Sequence, residues 1–135
     1  MTITSEILLN TQTYSGDGEL QTSIGDKAKG DGYYGRSDGF HTVQLSLTDF
    51  VGRIDIQGSL AVDPTDEDWF TVELGTGDQS VDTTGLLREE NVSFVEYPSA
   101  TTNTRTYNFT GNYVWIRSKV SNWSEGTVNS IRLNH

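Results

Sequence analysis

Thr104-Arg105-Thr106-Tyr107-Asn108-Phe109-Thr110-Gly111-Asn112-Tyr113-Val114-Trp115-Ile116-Arg117-Ser118-Lys119-Val120 is the stretch whose reading decides the fold. Arg105, Tyr107 and Phe109 alternate with Thr104, Thr106 and Asn108. Beyond Gly111 and Asn112, Val114, Ile116 and Val120 alternate with Tyr113, Trp115, Arg117 and Lys119. A side chain returning to one face at every second position marks a half-buried strand. Gly111 with Asn112 supplies the positive φ of a tight turn, so the stretch predicts a hairpin. One of its faces is apolar; the other carries hydroxyls, aromatics and cations. A lone hairpin is marginal in water, and the rest of the chain must supply an opposing layer.

The same alternation recurs on both sides. His41, Val43, Leu45 and Leu47 alternate with Thr42, Gln44, Ser46 and Thr48. Thr48-Asp49-Phe50-Val51-Gly52 predicts a reversal into Ile54, Ile56 and Leu60, with Gly58 at an inward position that suggests a bulge or a close approach. Ile3–Leu9 reads as a first strand with Ile7 and Leu9 on one face, and Glu19–Ile24 as a brief one. Trp69–Leu74 reads as a strand with Phe70, Val72 and Leu74 inward. Val92–Tyr97 is a strand closed by Pro98, Ser121–Gly126 a reversal, and Thr127–Leu133 a last strand with a bulge near Asn129. Asp63 and Pro64 suit the N-cap and first position of one short helical turn, near Pro64–Asp68. Leu86 and Leu87 are expected to pin an otherwise polar loop.

Together these predict an all-β, antiparallel β-sandwich, jelly-roll-like, of seven or eight short strands in a single domain over residues 1–135. A Gly/Asp-rich loop region occupies about 11–39, where half of the chain's 14 glycines fall. Only 33% of residues are hydrophobic and the mean hydropathy is -0.49. A sandwich suits so thin a core, because each strand commits only alternate residues to it.

Nine Lys and Arg against 19 Asp and Glu give a net charge of -10, the wrong sign for a protein that grips phosphates, so no nucleic acid is expected. No apolar run approaches a membrane span and the start lacks the basic and apolar regions of a signal peptide, so neither membrane nor secretory pathway is expected. The sequons at Asn91, Asn108 and Asn122 then read as chance matches. The absence of cysteine removes disulfides, thiolate metal sites and cysteine nucleophiles. His41 begins a strand and His135 ends the chain, where fraying makes a poor catalytic anchor. Glu89 and Glu90 point to opposite faces of an extended chain. No nucleophile motif occurs, and the expectation is no enzyme, with no catalytic, cofactor-binding or metal residues. The acidic run Asp63, Asp66, Glu67, Asp68 reads as a capped, solvated turn rather than a cation site. The Gly/Asp run, which includes Asp31 and Asp38, is open to a calcium reading, but loop chemistry explains it without one.

The aromatic residues are the functional candidates. Tyr33, Tyr34, Trp69, Tyr113, Trp115 and Trp123 fall in loops, at strand ends or on the polar parity. Such residues pack a core, anchor protein interfaces or stack on sugar rings, and all three readings stay open.

Three stretches carry a resemblance: Lys29–Gly35 running into Asp38–Val43; Ile56–Ala61 with Asp63–Asp66 and Asp68–Phe70; and Thr110–Arg117 through Asn122. In order and spacing they are similar to small virion structural proteins of contractile-tailed phages that infect cyanobacteria. The resemblance implies a non-enzymatic particle component in a capsid decoration, neck or tail position. It implies partners among other virion proteins, self-association into a homo-oligomer, and residence in the virion after synthesis in the host cytoplasm. The alternative from the aromatic residues is a carbohydrate-binding or host-receptor-binding module, with a glycan as partner.

Overall fold

A computed structural model describes residues 5–35, 39–81 and 87–135. Its ten described strands are β1 (Glu6–Leu9), β2 (Gln12–Thr13), β3 (Gln21–Ile24), β4 (Ala28–Lys29), β5 (Phe40–Ser59), β6 (Phe70–Thr71), β7 (Leu74–Val81), β8 (Leu87–Val92), β9 (Val95–Thr110) and β10 (Trp115–Asn134). One 3-10 turn, Asp66–Asp68, is the helical element among the described residues. Every pairing is antiparallel, in the order β1-β10-β5-β9-β7-β8, with β2, β3 and β4 also on β10 and β6 on β5.

Chain geometry shows how this sheet becomes a sandwich. Straight, the 20-residue β5 would be roughly 65 Å long. Yet Thr110 pairs with Phe40 at its start, Trp115 pairs with Ser59 at its end, and only residues 111–114 join the two. That link reaches roughly 17 Å. The strand must therefore fold back on itself, carrying its neighbours with it. The bend is visible as register shifts at one level in three adjacent strands: between Leu47 and Gly52 on β5, between Tyr97 and Thr101 on β9, and between Ser121 and Glu125 on β10. Asp49 (φ 51) and Asn122 (φ 49) take the left-handed conformations that such bulges need.

The central stretch is therefore an arch between layers rather than a hairpin, because β5 lies between β9 and β10. Likewise Thr48–Gly52, Pro98 and Ser121–Gly126 do not end strands but bend them. Pro98 survives inside β9 because residues 98–100 have no partner in the ladder with β5, so its missing N–H removes no rung. The reversal signals were real, but the neighbouring strands turn together and the pairing persists through the turn. Asn129 does sit at a register shift, between Val128 and Ser130.

The face assignments of the long strands hold. Val43, Leu45, Leu47, Ile54, Ile56, Tyr107, Phe109, Ile116 and Val120 are buried in one cluster with Phe50, Trp123, Val128, Ile131 and Leu133. Five details differ. Arg105 shares the parity of Tyr107 and Phe109 but is exposed, its guanidinium lying 5.8 Å from the Tyr107 ring, since a charge costs too much to desolvate there. Leu8 and Leu9 are both buried while Ile7 is exposed, since a register shift between Ile7 and Leu9 turns two consecutive residues inward. Leu60 lies past the end of β5, where alternation stops, and is exposed. Phe70 is exposed because Tyr113 fills the space over Gly58 and Phe70 packs on that ring, 5.5 Å between centroids. The 3-10 turn starts at Thr65, not Asp63, since the Thr65 N–H donates to the Asp68 carboxylate at 2.7 Å. The expectations for Leu86 and Asp38 lie outside the described residues. The polar loop expected up to Glu90 is largely strand instead: β7 runs to Val81 and β8 starts at Leu87, paired antiparallel through Gln79 with Glu89 and Val81 with Leu87, because a backbone ladder forms without the apolar alternation that marks a buried face.

The expected loop region is more ordered than its glycines suggested. From β1 to β4 the chain runs antiparallel along the full length of β10 as an interrupted edge. Its last part docks backbone to backbone: Gly30 N–H donates to Val114 O and Gly32 N–H to Tyr113 O, both at 2.9 Å. A Cβ at either glycine would overlap those carbonyl groups' chain, so Gly is required by the close approach.

Candidate functional site

Docking of Gly30 and Gly32 fixes a tight turn in which Tyr33, Tyr34 and Gly35 N–H groups donate to the carbonyls three residues earlier. The turn drives Asp31 inward, at 1% exposure, and leaves Tyr33 and Tyr34 outward, at 46% each. Tyr33 packs on Tyr34 (5.6 Å between centroids) and on Trp115 (5.2 Å). Lys29 Nζ lies 4.6 Å over Tyr33 and Lys27 Nζ 4.6 Å over Trp115. The Trp115 indole N–H donates to Val62 O at 2.8 Å, extending the patch towards an exposed valine. Three clustered aromatic rings, two of them covered by a lysine, form an amphipathic edge on a strongly acidic protein.

Beside it opens a cleft of about 730 Å³ lined by Phe40, Thr71, Val72, Glu73, Gly75, Asn108, Phe109, Thr110 and Tyr113. Phe40 is 55% exposed, Phe109 forms a floor, and Tyr113 stands 6.0 Å from it. Burial first, and then the Glu73 carboxylate, push the Tyr113 phenol above its ordinary pKa. Flat aromatic faces flanked by an amide, hydroxyls and a carboxylate can hold a polyhydroxylated ring by stacking and hydrogen bonds. The sequence reading missed Phe40, although its parity opposite His41 and Val43 was the available signal.

Beneath both features Asp31, His41 and His135 converge, with ligand-type atoms all within 4.8 Å of one another. The Asp31, His41 and His135 side chains are 1%, 0% and 1% exposed. His135 Nδ1 lies 2.7 Å from Asp31 Oδ1 and its Nε2 3.8 Å from Glu6 Oε1. His41 Nδ1 lies 2.8 Å from Gly39 O, so it carries the proton, while Nε2 accepts from the Asp31 N–H at 3.3 Å. His41 also stacks on Phe109 at 4.8 Å, and His135 on Tyr34 at 5.6 Å. The expectation that His135 frays is overturned: β10 runs to Asn134 and delivers it into the interior.

Of the six aromatic candidates, Tyr33, Tyr34 and Trp115 are brought together and Tyr113 lines the cleft. Trp123 is not on a surface; it is 0% exposed, packed 5.8 Å from Phe50 at the bend. Its polar parity misled because the bulge at Asn122 reverses which face the following residues occupy. Trp69 is partly buried with the Arg117 guanidinium 4.2 Å over its ring, which covers one stacking face. Burial holds Arg117 below the usual arginine range, with Asp66 opposing that shift.

The fold is an all-β sandwich made by curling one antiparallel sheet. The sequence matches no protein-family model and no curated protein. Among solved structures, the chain is similar to the SPBc2 prophage-derived protein YomS at 14% identity and a TM-score of 0.56, covering 98% of this chain and 90% of that one. It is more distantly similar to a family 29 carbohydrate-binding module from Piromyces equi, at 10% identity and TM-score 0.47 over 100% and 93% of the two chains. The K1 cleaved adhesin domain of Lys-gingipain from Porphyromonas gingivalis stands at 10% and 0.41 over 99% and 95%. The first likeness is one of fold. None bears on the host or tail type implied by the sequence resemblance. Among the described residues no helix is long and apolar enough to cross a membrane.

Proposed function

We propose that this chain is a non-enzymatic structural component of a phage particle, in a capsid decoration, neck or tail position, held by contacts with neighbouring virion proteins. The observation that carries this reading is the Tyr33–Tyr34–Trp115 edge with Lys27 and Lys29 over its rings. Clustered Tyr and Trp at the surface are the residue types enriched among interface anchors. The resemblance of three sequence stretches to virion proteins of contractile-tailed phages of cyanobacteria supports it, and the fold shared with a prophage-derived protein accords with it. Mass spectrometry of purified particles, with native mass measurement of the isolated protein, tests the reading. Presence at a fixed copy number is expected; absence from the particle overturns it.

A second reading rests on the cleft. Phe40, Phe109 and Tyr113 with Glu73 and Asn108 favour a glycan ligand, such as a host surface polysaccharide. Binding on a glycan array that is lost in Phe40→Ala and Tyr113→Ala supports it, and no binding at millimolar sugar removes it.

A further inference from the structure

We propose that Asp31, His41 and His135 form an internal site for a divalent transition-metal ion of the zinc type. The ion would staple the turn bearing Tyr33 and Tyr34, and the end of β10, to the start of β5. A tetrahedral Zn²⁺ with ligands at 2.0–2.2 Å holds its donor atoms roughly 3.3 Å apart. The two separations from Asp31 Oδ1, 2.7 Å to His135 Nδ1 and 4.0 Å to His41 Nε2, bracket that value, and with all three atoms within 4.8 Å of one another the site closes if the two imidazoles approach by up to roughly 1.5 Å.

The far nitrogen of each imidazole makes the stronger argument. A metal-binding histidine characteristically donates its other N–H to a carbonyl or carboxylate, which fixes its tautomer and orientation. His41 Nδ1 is committed to Gly39 O at 2.8 Å, which puts the lone pair on Nε2 beside Asp31; it accepts the Asp31 N–H at 3.3 Å, a long bond that the ion would displace. For His135, with the metal on Nδ1, the Nε2–H faces Glu6 Oε1 at 3.8 Å. The orienting partner of His41 is in place, and that of His135 needs Glu6 to close in from 3.8 Å onto an Nε2 that makes no hydrogen bond. The metal takes the position of the hydrogen between His135 Nδ1 and Asp31 Oδ1. Two imidazoles and a carboxylate suit Zn²⁺, Co²⁺ or Ni²⁺ over Ca²⁺ or Mg²⁺, which prefer all-oxygen shells. This departs from the expectation of no metal residues, because only the fold brings positions 31, 41 and 135 together.

The test uses the full chain without an affinity tag, stripped with a chelator and titrated with Zn²⁺ and with Co²⁺. One equivalent is expected to bind, and Co²⁺ should give the intense visible bands of a tetrahedral nitrogen–oxygen site. Free Zn²⁺ at a hundredfold excess over its Kd should favour the folded state about a hundredfold, read as a rise in Tm. His135→Gln and Asp31→Asn should abolish the bands while leaving a folded β spectrum. Glu6→Gln should keep one-to-one binding but weaken it about tenfold or more. Because His41 is buried against Phe109, His41→Gln risks misfolding, and the other variants decide the matter. No binding at micromolar Zn²⁺, or binding that Asp31→Asn and His135→Gln leave intact, overturns the proposal.

Discussion

Replacing Phe50 by alanine probes the bend on which the architecture depends. If β5 kept strict alternation from Val43 through Leu47, position 49 would face inward and position 50 outward. Instead Thr48 and Asp49 are both exposed, and Phe50 is fully buried between Tyr97 (6.1 Å) and Trp123 (5.8 Å). Truncating a buried phenylalanine costs about 3–5 kcal/mol, the transfer of its ring plus the cavity left behind. For a domain of this size each kcal/mol moves Tm by about 3–6 °C, so a drop on the order of 10–25 °C is expected. Phe50→Leu, which keeps part of the volume, should cost about 1–2 kcal/mol and guards against a variant too unstable to measure. Phe40→Ala is the internal control: at 55% exposure it should cost less than about 1 kcal/mol. Urea unfolding followed by tryptophan fluorescence and circular dichroism reads all three, and Trp123 beside Phe50 reports the site directly. Equal losses for Phe50→Ala and Phe40→Ala would refute the bulge and with it the folded-back strand.

Asp49→Val should cost about 1–2 kcal/mol by the same assay, since a β-branched side chain resists φ 51. Gly126, at φ 87 with the Asp49 backbone where a Cβ would stand, should tolerate alanine worse still, and the two losses should not add, being one contact. Burial, and then the neighbouring Tyr107 side chain, raise the Tyr97 phenol pKa, while burial and Glu73 raise that of Tyr113. An unfolded chain ionises these phenols near the ordinary value of 10.0 and the folded one resists. Their stabilising contribution is therefore complete below pH ~10 and lost as pH rises through the folded pKa values. Stability by denaturant titration at rising alkaline pH should fall, and Tyr97→Phe should flatten the fall. Trp115→Ala and Tyr33→Ala should weaken association with particle partners while leaving Tm within a few degrees, measured by sedimentation; unchanged association would remove this edge as the interface.

Alternation made the long faces legible. Tyr107, Phe109, Val43, Leu45, Ile54 and Ile56 face inward as their alternation predicts, because period two is a property of the extended backbone itself. The bulge at Asn129 and the close approach at Gly58 were readable for the same local reason. Charge and composition likewise spoke without coordinates, since net charge is a sum over residues and needs no geometry.

Strand continuity was not legible. Thr48–Gly52, Pro98 and Ser121–Gly126 carry real bend signals, but whether a bend reverses a strand or folds a whole sheet depends on what its neighbours do at the same level. The sites shared that fate. Parity exposes Phe40 in principle, yet its cleft exists only once β7 pairs with β9 and the arch places Tyr113 over Gly58. Asp31, His41 and His135 look unrelated along the chain: a loop acid, a strand opening and a terminal residue. They meet because β10 pairs with β5 along its length and the docked turn after β4 points its carboxylate inward. The amino-acid order thus determined which side chains face in, a matter of local backbone geometry. Only tertiary pairing decided which distant ones face each other, because that is set by long-range register and by how the sheet closes.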